Sequence, residues 1–170
     1  MTLSDKLLNV LNTTEDQLTQ QLMRDVKEIF TTMVGLEDLL HLPVPIDPVT
    51  EFQDCVSALV GLAGTYNGLV SIHMPNELAI RAASSMLGME LTELDADVND
   101  AMGEIGNMIA GSFKQHLSKG GLDIQLSTPS VVHGKEYVIS LGSHLELITV
   151  RFATDDDWFL VAVAFDEVCQ

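Results

Sequence analysis

Asp100-Ala101-Met102-Gly103-Glu104-Ile105-Gly106-Asn107-Met108-Ile109-Ala110-Gly111 is the stretch on which the reading of this 170-residue chain turns. Apolar side chains recur through it and beyond it at three- and four-residue spacing: Val98, Ala101, Met102, Ile105, Met108, Ile109, Phe113 and Leu117, with Ser112 as one small polar member. That period predicts an amphipathic helix with one face in a core. The opposite stripe reads Asp100, Glu104, Asn107, Gly111, Lys114 and Ser118. A glycine inside a helix costs about 1 kcal/mol relative to alanine. Gly103, Gly106 and Gly111, within nine residues, therefore predict that something comes close to this backbone. Glu104 and Asn107 stand at i and i+3, so a carboxylate and a carboxamide project side by side from one face. The plain alternative is a merely solvated face, because Glu-x-x-Asn alone is a common spacing.

Upstream, a first helical pattern spans about Glu15 to Leu40, with apolar positions Leu18, Leu22, Val26, Ile29, Phe30, Met33 and Leu36. Thr14 and Gln17 have the spacing of a capping box. Leu42-Pro43-Val44-Pro45-Ile46-Asp47-Pro48 breaks the pattern and reads as a connector. Strand-like runs follow at Cys55 to Leu62 and Gly68 to Met74, joined through Ala63–Asn67. Pro75 and Asn76 open a short helix, Glu77 to Leu87, stopped by Gly88. Beyond the glycine-bearing helix, which ends near Lys119, the chain reads as strands: Leu122–Ser127, Ser130–His133, Tyr137–Leu141, Leu145–Ala153 and Trp158–Phe165. The last two join through the turn Thr154–Asp157.

Glu28-Ile29-Phe30-Thr31-Thr32-Met33-Val34-Gly35 aligns without gaps on Glu104–Gly111, sharing glutamate, isoleucine and glycine at matching offsets. Thr31 falls where Asn107 stands. The order of elements before and after the midpoint supports the same internal pseudo-duplication. The expected fold is α+β, long helices on a mostly antiparallel sheet, in a single domain over residues 1–170. Residues 1–20 read as an N-terminal helical appendage.

Composition narrows the function. Acidic residues outnumber basic ones 25 to 8, for a formal charge of −17. This excludes a nucleic-acid binder, which needs a basic surface, and an anionic-membrane binder. No apolar run reaches the roughly 20 residues of a membrane span. The two cysteines, Cys55 and Cys169, have no CxxC spacing, and the amino terminus has no signal-peptide pattern. Both fit a cytoplasmic protein. The histidines His41, His73, His116, His133 and His144 lack metal-ligand spacing, so no metal site is expected. His73 alternates within a strand and reads as a surface or partly buried residue. Asp155-Asp156-Asp157 reads as a solvated turn, Met102 and Met108 as core filler, and Trp158 as packing. Gly61–Gly64 lacks the lysine and length of a phosphate-binding loop.

The helix Asp100…Glu104-Ile105-Gly106-Asn107…Gly111 resembles the signature of the CheC/CheX/FliY phosphatases of bacterial chemotaxis. So do the hairpin Gly64-Thr65-Tyr66-Asn67-Gly68-Leu69-Val70-Ser71-Ile72 and the helix ending Met86-Leu87-Gly88. The resemblance covers about Asp25 to Phe165 and is strongest to CheX-type members, which keep Glu-x-x-Asn only in the later helix. The first copy here, Glu28-x-x-Thr31, departs from the motif.

The resemblance implies hydrolysis of the aspartyl phosphate on a CheY-like receiver domain. Asn107 is then the catalytic amide that orients the attacking water. Glu104 pairs with the regulator's lysine, and Asp100, Gly103, Gly111 and Lys114 contact the partner. No cofactor is expected in this chain, and Mg2+ is expected in the regulator. The resemblance also implies a homodimer joined through the β-sheets. A second reading is a non-catalytic dimeric module that docks a regulator or adaptor through the same helix. A third, weaker reading is a small-ligand or metal-binding sensor.

Overall fold

The computed structural model describes residues 3–42, 49–141 and 145–166. The chain opens with α1 (Asp5–Leu11), begun by Ser4, whose hydroxyl accepts from Leu7 N–H, and ended by Asn12 in the left-handed conformation. Leu3, Leu7 and Leu11 are buried in the common core. Helix α2 (Glu15–Ile29) starts at the Thr14–Gln17 capping box and runs into a π-helical turn, Phe30–Val34. Gly35, at φ 75°, closes that turn, and Leu36 N–H donates to Phe30 O across it at 3.0 Å. The helix therefore stops well short of Leu40, which instead begins the short strand β1 (Leu40–Leu42). Only glycine adopts a positive φ at little cost, so the residue that looked like an interior repeat position is a stop. The proline-rich connector at 43–48 lies outside the described residues.

β2 (Glu51–Gly64) and β3 (Gly68–Pro75) form an antiparallel hairpin. α3 (Asn76–Leu87) follows, capped by Gly88 at φ 64°. α4 (Ala96–Lys119) is started by Asp95, whose carboxylate accepts from Val98 N–H at 3.0 Å. Then come β4 (Ile124–Leu126), β5 (Ser130–Val138), β6 (Leu145–Ala153) and β7 (Trp158–Asp166). The runs expected as two strands, Ser130–His133 and Tyr137–Leu141, are one strand ending at Val138. The polar stretch Gly134-Lys135-Glu136 hid its continuity, which the edge of β2 supplies by pairing from Glu51↔Val138 to Leu59↔Ser130.

The sheet runs β1-β6-β7-β3-β2-β4, with β5 sharing with β4 the same edge of β2, and every pairing is antiparallel. Two hairpins, β2–β3 and β6–β7, meet at the central β3–β7 pair. Each half carries a long helix and a hairpin, and the strands between helix and hairpin are exchanged. β1 of the first half edges β6 of the second, and β4 and β5 of the second edge β2 of the first. The pseudo-duplication is thus a reciprocal pairing across the sheet.

Alternation puts Val56, Ala58, Val60, Val70, Ile72, Val161 and Val163 under the helices, where they meet Ile105, Ile109 and Phe113 of α4 and Leu22 and Val26 of α2. Asp25 of α2, itself buried, ties the two helices together: its Oδ2 lies 3.0 Å from His116 Nε2, and its Oδ1 accepts from Gln21 at 3.0 Å. Among the described residues no helix is long and apolar enough to cross a membrane.

Candidate active-site helix

α4 lies across β2 with Ala101, Met102, Ile105, Ile109, Phe113 and Leu117 buried. Its outer side carries Asp100 and Glu104 in the open and Asn107, Gly111 and Lys114 half-exposed. The stripe expected from the sequence is therefore one continuous surface. The ion pairs among the described residues are Arg81 with Asp156 and Asp157, and His116 with Asp25. Glu104 thus projects outward without a cation of its own.

The three glycines differ. At Gly106 a Cβ would sit 3.1 Å from the Ala58 Cβ on β2, so this glycine lets the helix settle onto the sheet. Gly103 is buried, and a Cβ there would meet Pro129 and Val131 at 3.5–3.7 Å, ordinary contact. A Cβ at Gly111 would meet nothing within 4 Å. The expectation that all three bare the backbone for a visitor is corrected: only Gly111 leaves open space outside the molecule. Gly103 keeps a different role, as part of a shallow groove with Asn99, Asp100, Glu104, Pro129 and Val131. Sequence reasoning missed Asn99, Pro129 and Val131. Asn99 sits one helical step off the polar stripe, and Pro129 and Val131 arrive from the sheet, so periodicity along α4 held no signal for them.

The remaining candidates sort plainly. Asp157 and Asp156 bind Arg81 at 2.9 and 3.6 Å, so the acidic turn already faces a cation of the protein. Arg151 stacks over the Trp158 ring at 4.1 Å. His73, expected as a surface or partly buried residue, is buried at 8% exposure, with Phe52 stacked on it at 4.3 Å between ring centroids. Burial pulls its pKa down to about 4. His144 lies outside the described residues. Among those described, no group of three or more His, Cys, Asp or Glu side chains converges as a metal site.

A family model described as "Chemotaxis phosphatase CheX" matches residues 56–153, more than half of the chain. The chain belongs to the CheX family. It is accordingly a phosphatase. The CheY-P phosphatase CheX of Thermotoga maritima is 28% identical over 142 residues, covering 82% of this chain and 91% of that protein. The crystal structure of a chemotaxis protein CheX from Desulfovibrio desulfuricans superposes with a TM-score of 0.77 at 28% identity, covering 88% of this chain and 99% of that one. The CheX chain in a CheX–CheY–BeF3–Mg2+ complex from Borrelia burgdorferi shares the fold with a TM-score of 0.76. It is 24% identical and covers 87% of this chain and 97% of its own. The family match takes in β2 from Val56 onward, β3, α3, all of α4 and the strands up to the end of β6, and so includes the whole CheX-type helix described above.

Proposed function

We propose that this chain hydrolyses the aspartyl phosphate of a CheY-like response regulator, with α4 as the element that enters the regulator's active site. The observation that carries the reading is the pairing of Glu104 and Asn107 on the outer face of α4, beside the open backbone of Gly111. The Thermotoga maritima relative is named for CheY-P, and the Borrelia burgdorferi neighbour was captured with CheY.

The chemistry suits these side chains. Phosphoryl transfer to water depends mainly on an in-line nucleophile and on charge neutralisation. The Asn107 carboxamide offers both a donor and an acceptor, enough to hold a water in one orientation. The Glu104 carboxylate, with no ion-pair partner among the described residues, can form a charge-assisted pair with a lysine of the regulator. Asp100 and Lys114 flank these two along the same stripe and contact the regulator's rim, while Gly103 floors the groove beside Glu104. The magnesium used in the reaction belongs to the regulator. A homodimer joined through the sheets completes the proposal. It leaves α4 free, because that helix covers the opposite face of the sheet.

The test is release of inorganic phosphate from a phosphorylated CheY-type receiver with magnesium present, comparing wild type with Asn107→Ala. Acceleration by wild type alone supports the reading. Binding of the receiver without acceleration by wild type replaces it with the docking-module reading.

A further inference from the structure

In a chain with 25 acidic residues against 8 lysines and arginines, Arg24, Lys119 and His116 meet at a single hollow. Its volume is about 630 Å³, and it lies where the end of α1, the start of α2 and the end of α4 come together. Asn12, Thr13 and Gln17 line it as well. The volume is within the roughly 300–1,000 Å³ typical of small-molecule sites.

Two of the three cationic groups are held in place from beneath. Asp25, buried at 6% exposure, accepts from Gln21 Nε2 at 3.0 Å through Oδ1, and its Oδ2 lies 3.0 Å from His116 Nε2. Gln21 Oε1 in turn accepts from Arg24 Nη2 at 2.6 Å. One buried carboxylate thus orients both the imidazole and the guanidinium, so less side-chain freedom is lost when a ligand arrives. Both groups keep donors for that ligand. A guanidinium has five N–H groups, of which Gln21 takes one. The imidazole faces Asp25 with Nε2 and has Nδ1 on a second edge, a donor when the ring is charged. Lys119, three residues on from His116, is its neighbour along α4.

A guanidinium, an imidazolium and an ammonium around one hollow match the three terminal oxygens and double charge of a phosphomonoester. A monocarboxylate offers them two oxygens and a single charge. Bare phosphate leaves most of the volume unfilled, and there Asn12, Thr13 and Gln17 offer amides and a hydroxyl to a polar body. We propose that this hollow binds a phosphomonoester of a small polyhydroxylated molecule, with Arg24, His116 and Lys119 on the phosphate. The site lies about 18 Å along α4 from Glu104, on the helix side of the sheet, and does not rest on the phosphatase reading.

Glucose 6-phosphate, glucose and inorganic phosphate test it on the full chain by calorimetric titration at neutral pH. The titrations are run at about 0.15 M salt, where exposed charges beyond about 8 Å are largely screened. Glucose 6-phosphate is expected to bind saturably, inorganic phosphate about five- to tenfold more weakly, and glucose not measurably. Arg24→Gln and Lys119→Gln, both at exposed positions, are each expected to lower glucose 6-phosphate affinity about tenfold, the scale of one charge-assisted hydrogen bond. Circular dichroism should show an unchanged fold in both. Lys135→Gln, which removes an exposed cation from β5, should leave the affinity as it is. Absence of saturable glucose 6-phosphate binding, glucose binding as tight as its phosphate, or affinity unmoved by Arg24→Gln and Lys119→Gln overturns the proposal. An equal loss in Lys135→Gln also overturns it, because the attraction is then one of overall charge. Inorganic phosphate binding as tightly as glucose 6-phosphate overturns the assignment of a hydroxylated phosphomonoester.

Discussion

Two segments of this molecule share a pattern and differ in what the fold does with them. Glu28–Gly35 ends a helix, whereas Glu104–Gly111 lies in the middle of one. Gly35 sits at φ 75° and stops the chain, while Gly111 is followed by two more turns of α4, including Lys114. Where α4 has Gly106 against Ala58, the first segment has Phe30, fully buried and stacked on Phe159 at 4.7 Å. One helix is held off the sheet by an aromatic pair and the other rests almost on its backbone. Glu28 and Thr31 are nevertheless both exposed, as is Glu104. The lesson is that a surface motif works through the helix that presents it. A π-turn and a stop leave the first copy with no continuing face to lay on a partner.

The largest expected effects come from the inward side of this comparison. Phe30→Ala should cost about 3–5 kcal/mol of stability, as aromatic core truncations do, measured by urea denaturation. Gly106→Ala should cost about 1–2 kcal/mol by overpacking against Ala58. A stable Phe30→Ala variant breaks the claim that the aromatic pair sets the first helix's height.

On the outward side, Asn107→Ala should reduce receiver dephosphorylation about 100-fold, the scale of losing a positioning group, with thermal midpoint unchanged. Thr31→Ala should leave the rate as it is. Equal losses in the two variants, read from single-turnover phosphate release, erase the distinction between the segments.

Next come the carboxylates. Glu104→Gln should weaken receiver binding about tenfold or more, as expected for loss of a charge-assisted hydrogen bond, and Glu28→Gln should not. Titration of the receiver at two salt concentrations checks this, because the wild-type advantage should shrink as salt screens the pair.

The paired glycines give a smaller but sharper contrast. Gly111→Ala should stabilise the fold by about 1 kcal/mol, since a Cβ there meets nothing, yet lower phosphatase activity by crowding the docking face. Gly35→Ala should destabilise by about 1 kcal/mol, from its positive φ and from Ser85 Oγ 3.0 Å away. A Gly111→Ala variant that is both more stable and fully active removes the case for close approach at this point.

The smallest expected effect is none. Thr31→Asn, placed in an Asn107→Ala background, completes Glu-x-x-Asn in the first segment and should restore no phosphate release. Recovery of activity in that variant shows that the π-turn and the stop at Gly35 do not disable the first copy.

Much of this was legible from residues alone. The three-and-four spacing from Val98 to Leu117 marked the buried face of α4, and Thr14, Pro75 and Gly88 marked element ends, because helix periodicity and capping are local physics. The strand pattern failed at Gly134–Glu136, where polar residues interrupt alternation on an edge strand whose continuity depends on β2. His73 was read as a surface or partly buried residue and is buried, with Phe52 stacked on it from another strand. The three glycines looked alike in the sequence and are not.

The order of residues was enough to place Glu104, Asn107, Gly111 and Lys114 on one stripe, since positions three and four apart on a helix are neighbours wherever the helix goes. It was enough, too, to pair Glu28–Gly35 with Glu104–Gly111. The contact of Gly106 with Ala58, the groove closed by Pro129 and Val131, the exchange of edge strands and the hollow where α1, α2 and α4 meet all join residues distant along the chain. Those features follow from how the sheet orders its strands and how near each helix comes to it. Both are set by packing of the whole core, and no local period carries them.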